Sequence, residues 1–390
     1  MKEVLWYGGH EVFLNDIEKT EGIYVYAKGG KRYVDLESGV WCLPLGHCHP
    51  TVVEAIKKQS DKCMHTGYCY ASSETADACG ALLKTVGFDG GQATLLTSGS
   101  EAVELGVQMI RHLTAKKYML TMSDSFLGSF GSAAELSDDE WHFFDWGECG
   151  SSPKCETGCD TCPLFEKIPF NEIGGFVFEP GSSAGLVRFP PKLLIKNISE
   201  RVHELNGYVQ VNEVTTGVGR TGKMYGYMHY DIKPDIVSIG KGIGNGYPVS
   251  AVVLNSTTAD IFAKEGFKVS QSHQNDPLGA AVVCAVLGEF EKCFFADQAK
   301  EKGDYFIKEL SSIDSKYIKE VRGRGLMISI TFQEMSDDEV KELHYKLFEA
   351  GFITVKRPKL PVLRLDPPIV ISKEVLHSFT IKLQKLLPSN

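Results

Sequence analysis

A lysine between two glycines is the residue best suited to covalent chemistry in this sequence. Lys241 lies in Gly240-Lys241-Gly242, directly after the β-rich run 235–239. At a strand end such a side chain can project into a crevice, where desolvation lowers the pKa of the amine and frees it to act as a Schiff-base nucleophile. A solvated loop lysine is the ordinary alternative. Lys223, in the sequence GRTGK, is a rival nucleophile that lacks the strand-end position.

Two residues at the end of the preceding β-rich run could contact a flat ring. Asn212 and Val214 are two positions apart, so they face the same side of a strand, whereas Glu213 faces the other side. A polar group beside an apolar one suits a heteroaromatic ring, because one meets a ring nitrogen and the other covers a ring face. The alternative is an ordinary half-buried strand end.

Small hydroxyl residues and a glycine stand where a predicted strand passes into a predicted helix. Ser98, Gly99 and Ser100 follow the β-rich run 93–97. Free N–H groups and the dipole at a helix N-terminus both favour a negative charge, so this segment predicts an anion site. Ser98 and Glu101 also have the spacing of a capping box, and the two interpretations are compatible.

The elements that must position these residues alternate short β-rich runs with longer helical patterns. Helical patterns such as 101–113 and 191–205 separate the runs, which are residues 93–97, 118–122, 175–178, 208–211, 235–239 and 250–254. This alternation predicts an α/β fold with a mainly parallel sheet sandwiched by helices. Ligands of such a sheet bind beyond the C-terminal ends of its strands.

The two ends of the chain predict a second, smaller unit. Residues 23–36 alternate β-formers around Gly29-Gly30, a hairpin signal that cannot bury a core alone. After about residue 277, a long helical stretch leads to predicted strands at 326–331, 352–355 and 362–365. We therefore expect residues 51–290 to form the large ligand-binding domain. Residues 1–50 are expected to pack with a small α+β domain of residues 291–390.

Composition and charge exclude several classes of protein. Of 390 residues, 43% are hydrophobic and 23% are charged, as in a folded globular chain. The net charge of −9 argues against binding to a nucleic-acid backbone, and the longest apolar stretch, residues 278–287, is too short to cross a membrane. Without an evident signal peptide, the 11 cysteines predict reduced thiols and a cytoplasmic protein.

Taken together, the motifs resemble those of the class III aminotransferases of the ornithine and ω-amino-acid type. These enzymes use pyridoxal 5′-phosphate on the fold-type I scaffold. The resemblance extends from about residue 31 to residue 385. It is carried by GRTGK, then KPDIVSIGKGIGNGYPVSAV with the lysine, and by GHCHP at residues 46–50 and LRLDPP at residues 363–368.

The resemblance implies a role for each matching residue. Lys241 would be the Schiff-base lysine and the proton shuttle. The other cofactor-binding residues would be Ser98, Gly99 and Ser100 at the phosphate, Phe126 and Val214 on the two ring faces, Asn212 at the ring nitrogen, and Ser272 at the phosphate of the neighbouring subunit. Trp41 and Arg364 would bind the substrate, with Arg364 clamping its carboxylate.

These roles imply a homodimer with active sites at its interface. They also imply ping-pong transfer of an amino group from an amino acid or ω-amine to a 2-oxo acid. An amino-acid racemase or epimerase on the same fold is the alternative hypothesis. A third is a cofactor-binding protein without catalysis, and the retained Lys241 and Arg364 argue against it.

Three positions depart from the family pattern. Asn212 stands where the family has an aspartate whose charge keeps the pyridine nitrogen protonated, which predicts slower carbanion chemistry. Ser129 and Val40 stand where ornithine-type members carry an arginine and a tyrosine. The resemblance therefore favours an apolar or singly carboxylated substrate over acetylornithine.

Two clusters of metal-ligating residue types remain. Cys149, Cys155, Cys159 and Cys162 have a spacing that could surround a tetrahedral zinc, although a metal-free loop is the favoured interpretation. His47 and His49 flank Cys48, but alternating neighbours do not converge easily on one ion. For these histidines we expect roles in the turn and in packing.

Overall fold

The fold contains fifteen strands among the residues that the computed structural model describes, which are 3–6, 11–147, 149, 158–159 and 162–388. In chain order the strands are β1 Ile17–Glu21, β2 Tyr24–Ala27, β3 Arg32–Asp35, β4 Gln92–Leu96, β5 Tyr118–Met122, β6 Trp141–Phe144, β7 Ile173–Phe178, β8 Tyr208–Asn212, β9 Ile236–Ile239, β10 Ser250–Leu254, β11 Ile318–Arg324, β12 Met327–Phe332, β13 Phe352–Ile353, β14 Val355–Lys356 and β15 Val362–Leu365.

Eleven α-helices connect and cover these strands within the same described residues. They are α1 Ser38–Trp41, α2 Pro50–Lys62, α3 Ser73–Val86, α4 Gly99–Leu113, α5 Ser132–Glu135, α6 Lys192–Glu204, α7 Ser256–Glu265, α8 Pro277–Cys293, α9 Phe295–Ser311, α10 Asp337–Glu349 and α11 Lys373–Leu386. None of them is long and apolar enough to span a bilayer.

A seven-stranded sheet forms the centre of the chain, in the order β4-β10-β9-β8-β7-β5-β6. β10 runs antiparallel to both of its neighbours, and the remaining pairs are parallel. The predicted mainly parallel sheet is therefore confirmed. The residues that follow β7, β8 and β9 lie at the carboxyl edge of this sheet, where the candidate site is found.

Helices cover both faces of this sheet, because its strands are apolar on both sides. All six residues of β7 are buried. Phe176 and Phe178 pack into the core cluster that includes α3, α6 and α8, whereas Val177 packs into the cluster formed by α4 and α7. The alternation of the β7 side chains between two cores is the signature of a sheet sandwiched by helices, as the sequence predicts.

Two four-stranded sheets lie outside the central one, in the orders β1-β2-β3-β13 and β11-β12-β15-β14. β3 pairs in parallel with β13, so the N-terminal hairpin is hydrogen-bonded to the C-terminal part of the chain. The hairpin turns at Gly29 and Gly30, whose φ angles are 91° and 86°. The domain boundaries themselves stay a prediction.

The observed strands differ from the predicted ones in four places. β1, β6 and β11 were not predicted. The predicted strand 352–355 is divided, because β13 pairs with β3 while β14 pairs with β15. β11 pairs with β12, which follows it directly in the chain, but four of its seven residues are charged, so no apolar alternation marks it as a strand.

Candidate active site

A cavity of about 630 Å³ opens at the carboxyl edge of the central sheet. It brings together the ends of β8 and β9, the N-terminus of α4 and the loop that follows β5. The predicted site residues that line it are Trp41, Gly99, Ser100, Phe126, Asn212, Val214 and Lys241. Ser98, Ser272 and Arg364 are not part of its wall.

Lys241 projects into this cavity two residues after the end of β9. Its Nζ donates a hydrogen bond to Thr215 Oγ1 at 2.9 Å and lies 4.6 Å from the centroid of the Trp41 ring. Burial lowers the pKa of the Lys241 amine to about 8, against the opposing charges of Glu179 and Cys42. The amine is therefore much closer to its nucleophilic, neutral form at physiological pH than a solvated lysine is. The rival Lys223 is exposed.

Glu179 is a buried carboxyl near this amine that the sequence analysis missed. Its Oε2 accepts hydrogen bonds from the backbone N–H groups of Phe126 at 2.9 Å and Ser183 at 3.4 Å. Burial raises the pKa of Glu179 to about 7, and the charge of Lys241 opposes that shift. The available signal was a carboxylate directly after a predicted strand, the same signal that singled out Lys241.

Asn212 and Val214 both line the cavity, as the spacing predicts. Asn212 Nδ2 donates to the backbone carbonyl of Phe126 at 3.1 Å, and Asn212 Oδ1 accepts from the N–H of Val214 at 3.1 Å. Glu213 points away, and its carboxyl accepts from the Thr216 hydroxyl and two backbone N–H groups. Glu213 therefore supplies no charge to the cavity wall.

The N-terminus of α4 has the predicted capping box. Ser98 Oγ accepts from Glu101 N at 3.2 Å while Glu101 Oε2 accepts from Ser98 N at 2.8 Å, which completes the capping box. Gly99 and Ser100 line the cavity beyond this cap. A Cβ atom at Gly99 would lie 2.5 Å from Val214 Cγ1, so only glycine lets the helix end approach the β8 loop this closely.

Trp41 reaches the cavity from a strained turn. The four residues of α1, Ser38 to Trp41, all have positive φ, from 54° to 67°. Such angles are costly for residues with a Cβ, and strain of this kind is concentrated at functional sites. Trp41 Nε1 donates to Asp366 Oδ2 at 2.7 Å, which fixes the indole. Val40 is exposed and lines both this cavity and a neighbouring cavity of about 650 Å³.

Arg364 is completely buried beside the cavity. Its Nε and Nη2 donate to the two carboxylate oxygens of Asp366 at 2.7 and 3.2 Å, and its Nη1 donates to the carbonyl of Ser183 at 2.8 Å. A second arginine, Arg357, lines the cavity instead and was missed by the sequence analysis.

The remaining predicted residues lie elsewhere. Ser272 is exposed in the turn before α8. His47 Nε2 contacts Asp35 Oδ2 at 2.8 Å, and His49 is the N-cap residue of α2.

Cys155 lies outside the described residues, so the four-cysteine prediction is untested. Of its other members, Cys159 is buried in the core, and Cys149 and Cys162 pack against that core.

The residues of the cavity fit pyridoxal phosphate. Lys241 offers an amine of lowered pKa to an aldehyde, and the N-terminus of α4 offers N–H groups to a phosphate. Val214 fills the space that a side chain at position 99 would need, so its apolar side chain packs directly against the N-terminus of α4. With the parallel sheet behind them, these features define a fold-type I pyridoxal-phosphate enzyme.

Comparison with known proteins gives the family. The family model described as aminotransferase class-III matches residues 7–147 and 156–387. The chain is 31% identical over 365 residues to an acetylornithine aminotransferase from Caldanaerobacter subterraneus, covering 91% of this chain and 90% of that protein. A second acetylornithine aminotransferase, from Methanocaldococcus jannaschii, is 31% identical over 370 residues, covering 91% and 88%. The chain therefore belongs to the class III aminotransferases.

Solved structures agree with this assignment. The acetylornithine aminotransferase of Elizabethkingia anophelis superimposes with a TM-score of 0.83 at 25% identity, covering 98% of this chain and 95% of that one. An aminotransferase from Bacillus anthracis has a TM-score of 0.90 at 21% identity, over 99% and 96%, and shows the shared fold. The protein is a pyridoxal-phosphate-dependent transaminase that uses an amino donor and a 2-oxo acid. The comparisons give no support to the racemase alternative.

Proposed function

We propose that Lys241 is the residue that binds pyridoxal phosphate covalently and moves the proton during transamination. The observation that carries this proposal is the buried Lys241 amine, which faces the cavity with a lowered pKa and donates a hydrogen bond to the Thr215 hydroxyl. Ser98, Gly99 and Ser100 hold the cofactor phosphate at the start of α4. Phe126 and Val214 cover the two faces of its ring.

The cofactor supplies an electron sink for the bond that breaks at the donor carbon. With the cofactor bound, the Lys241 amine would take the proton from the donor carbon and deliver it to the cofactor. Thr215 Oγ1 holds the Lys241 amine in place between these events. Asn212 faces the ring nitrogen without supplying a charge, and Trp41 covers the substrate side of the cavity.

The donor we propose is an apolar or singly carboxylated amine or amino acid. The relatives named above are acetylornithine aminotransferases. In this chain, however, Ser129 lines the cavity where the ornithine-type pattern has an arginine, and Val40 lines it where that pattern has a tyrosine. Both replacements remove a group that would hold the polar end of a long substrate.

We also propose a cytoplasmic homodimer. Ser272 is exposed on the turn that leads into α8, as a residue that reaches the phosphate of a second subunit must be. Cys42, Cys48 and Cys63 are free thiols, in keeping with a reducing compartment. Sedimentation of the purified protein tests the dimer, and a monomer that retains full activity would refute it.

The first experiment is an absorption spectrum of the holoenzyme during addition of amino acids and amines without an acceptor. Conversion of the band of the lysine-bound cofactor to that of the amino form supports transamination and identifies the donor class. A substrate that loses its optical activity without giving the amino form would instead favour the racemase. If no band of lysine-bound cofactor forms after addition of pyridoxal phosphate, the role of Lys241 is refuted.

A further inference from the structure

We propose that His65, His273 and Asp276 form a binding site for a divalent transition-metal ion, and that zinc is the ion it takes. None of the three side chains lines the active-site cavity, so this site is separate from the one proposed for the cofactor. Their ligand atoms all lie within 4.8 Å of one another. Two imidazole nitrogens and one carboxylate oxygen are a ligand set that zinc accepts, with a fourth position left for water.

Asp276 contacts both histidines of this cluster. Its Oδ1 lies 2.5 Å from His65 Nδ1, and its Oδ2 lies 2.6 Å from His273 Nδ1. The centroids of the two imidazole rings are 4.8 Å apart. Ligand atoms around a tetrahedral zinc are roughly 3.3 Å apart, so each histidine needs to move by less than about 1 Å relative to Asp276 to admit the ion. Such a movement is easy, because the histidine side chains are 45% and 57% exposed.

The carboxylate of Asp276 faces the histidines instead of capping a helix. Asp276 is the N-cap residue of α8, but its side chain makes no capping hydrogen bond. An aspartate at an N-cap ordinarily accepts from a backbone N–H of the first helical turn. In this protein one carboxylate oxygen faces His65 and the other faces His273, which is the orientation that a metal ligand requires.

The backbone next to Asp276 is held firmly against β4. Asn275 Oδ1 accepts from the N–H of Leu95 at 2.8 Å, and the N–H of Asn275 donates to the carbonyl of Leu95 at 3.0 Å. Thr75 Oγ1 donates to the carbonyl of Asn275 at 2.8 Å. Bonds of this kind orient a ligand before the ion arrives.

The ion would join two parts of the chain that are far apart in sequence. His65 lies three residues after the end of α2, whereas His273 and Asp276 belong to the turn before α8. Sequence analysis missed the site because 208 positions separate the two histidines. The same turn carries Ser272, the residue proposed to reach the cofactor phosphate of a second subunit.

The test measures zinc binding to metal-depleted holoenzyme that carries no histidine tag. In calorimetry we expect one zinc ion to bind per chain. In His65→Ala and His273→Ala we expect the affinity to fall at least about 10- to 100-fold, because loss of a residue that merely orients a ligand already has an effect of that size. Zinc should also raise the unfolding temperature of the wild-type protein, and it should do so much less in the two variants.

Asp276→Asn tests the carboxylate separately. Asparagine can still cap α8, so the variant is expected to fold, but it removes the negative charge and the preferred oxygen ligand. We expect its zinc affinity to fall as in the histidine variants. An affinity equal to that of the wild-type protein would overturn the role of Asp276 in the site.

His377→Ala is the matched control. His377 is an exposed histidine whose Nδ1 contacts a carboxylate, Glu309 Oε2, at 2.5 Å, but it belongs to no group of three ligands among the described residues. We expect this variant to bind zinc as the wild-type protein does. The inference is overturned if the wild-type protein binds no zinc, or if His65→Ala and His273→Ala retain its affinity.

A cobalt spectrum distinguishes this site from one made by the cysteines. Co²⁺ bound by nitrogen and oxygen ligands shows no thiolate charge-transfer absorption, and we expect none. Strong charge-transfer absorption would place the ion on thiolates and overturn the proposal. None of these measurements depends on turnover or on the role of Lys241, so failure of the metal site and failure of the proposed function are distinct.

Discussion

The backbone of Phe126 joins the side chains of Asn212 and Glu179. Its carbonyl accepts from Asn212 Nδ2 at 3.1 Å, and its N–H donates to Glu179 Oε2 at 2.9 Å. An amide at position 212 thus suits its surroundings, because an aspartate there would place a carboxylate oxygen against the carbonyl of Phe126. The hydrogen bond to Phe126 therefore favours an amide at position 212, whereas protonation of the cofactor ring nitrogen favours a carboxylate there.

Asn212→Asp is expected to accelerate the first half-reaction while destabilising the protein. A negative charge that raises the pKa of the ring nitrogen by one unit favours the protonated ring about tenfold. The lost hydrogen bond to Phe126 is expected to lower the free energy of unfolding by about 1–3 kcal/mol. Single-turnover kinetics and denaturant unfolding measure the two effects.

Asn212→Ala is the control, since it removes the same hydrogen bond without adding charge. We expect it to lose stability and gain no rate. If Asn212→Asp still binds the cofactor but its first half-reaction is no faster, the charge at the ring nitrogen does not limit the rate of that half-reaction.

The pH dependence of cofactor capture is expected to follow the Lys241 amine. Its pKa is lowered from 10.5 to about 8, so the rate of pyridoxal phosphate capture by the apoprotein should rise with pH through about 8. Rapid-mixing absorbance measures this rate. Borohydride reduction and peptide mapping should place the cofactor on Lys241, with Lys223→Met behaving as wild type. Reduction onto Lys223 would contradict the assignment.

The same shift predicts how stability depends on pH. Between about pH 8 and 10.5 the unfolded chain holds a proton that the folded Lys241 has released, so the unfolded state binds more protons. The apoprotein should therefore become more stable as pH rises through this window, relative to Lys241→Met. Parallel pH titrations of the unfolding midpoint test the prediction, and identical slopes for the two proteins would exclude it.

Gly99→Ala is expected to weaken cofactor binding and stability together. The added Cβ would meet Val214 Cγ1 at 2.5 Å, and relief of such crowding typically costs about 1–3 kcal/mol. Gly80→Ala is the control, because Gly80 is exposed in α3 with nothing within 4 Å of its Cβ position, and it should stabilise by up to about 1 kcal/mol. Adding Val214→Ala to Gly99→Ala should restore stability. Lack of restoration in thermal unfolding would count against the contact.

Asp366→Ala is expected to lower the free energy of unfolding by about 3–5 kcal/mol. It leaves the Arg364 guanidinium buried without its counter-ion, and it removes the acceptor of the Trp41 indole. Adding Arg364→Met should recover part of the loss, because the uncompensated charge is then gone. Urea unfolding of the three variants gives the comparison, and a purely additive double variant would argue against a coupled pair.

The features predicted from sequence are those that local patterns determine. The strand ends at Asn212 and Lys241 follow from β-rich runs, and the parallel sheet follows from their alternation with helices. The Ser98 capping box follows from a spacing of three residues. In each case, the residues that carry the signal are neighbours in the chain.

The features that were missed depend on pairing and burial that no local sequence pattern marks. Arg357 reaches the cavity because β14 pairs with β15, and no periodicity marks that pairing. The burial of Arg364 depends on Asp366, a partner two residues away whose significance appears only once both are enclosed. The positive φ angles from Ser38 to Trp41 oppose the local preferences of three of those four residues, so propensity could not have predicted them.

The turn from Ser38 to Trp41 has a consequence for the evolution of this enzyme. Val40 is a β-branched residue held at a φ of 60°, which costs it about 1–2 kcal/mol, and its side chain stands in the wall of two adjoining cavities. Replacing it with glycine would relieve the strain and enlarge the active-site cavity in one step. The relieved strain would offset the entropy that glycine adds to the unfolded chain. Position 40 is therefore a place where selection, natural or in the laboratory, could enlarge the cavity at little cost in stability.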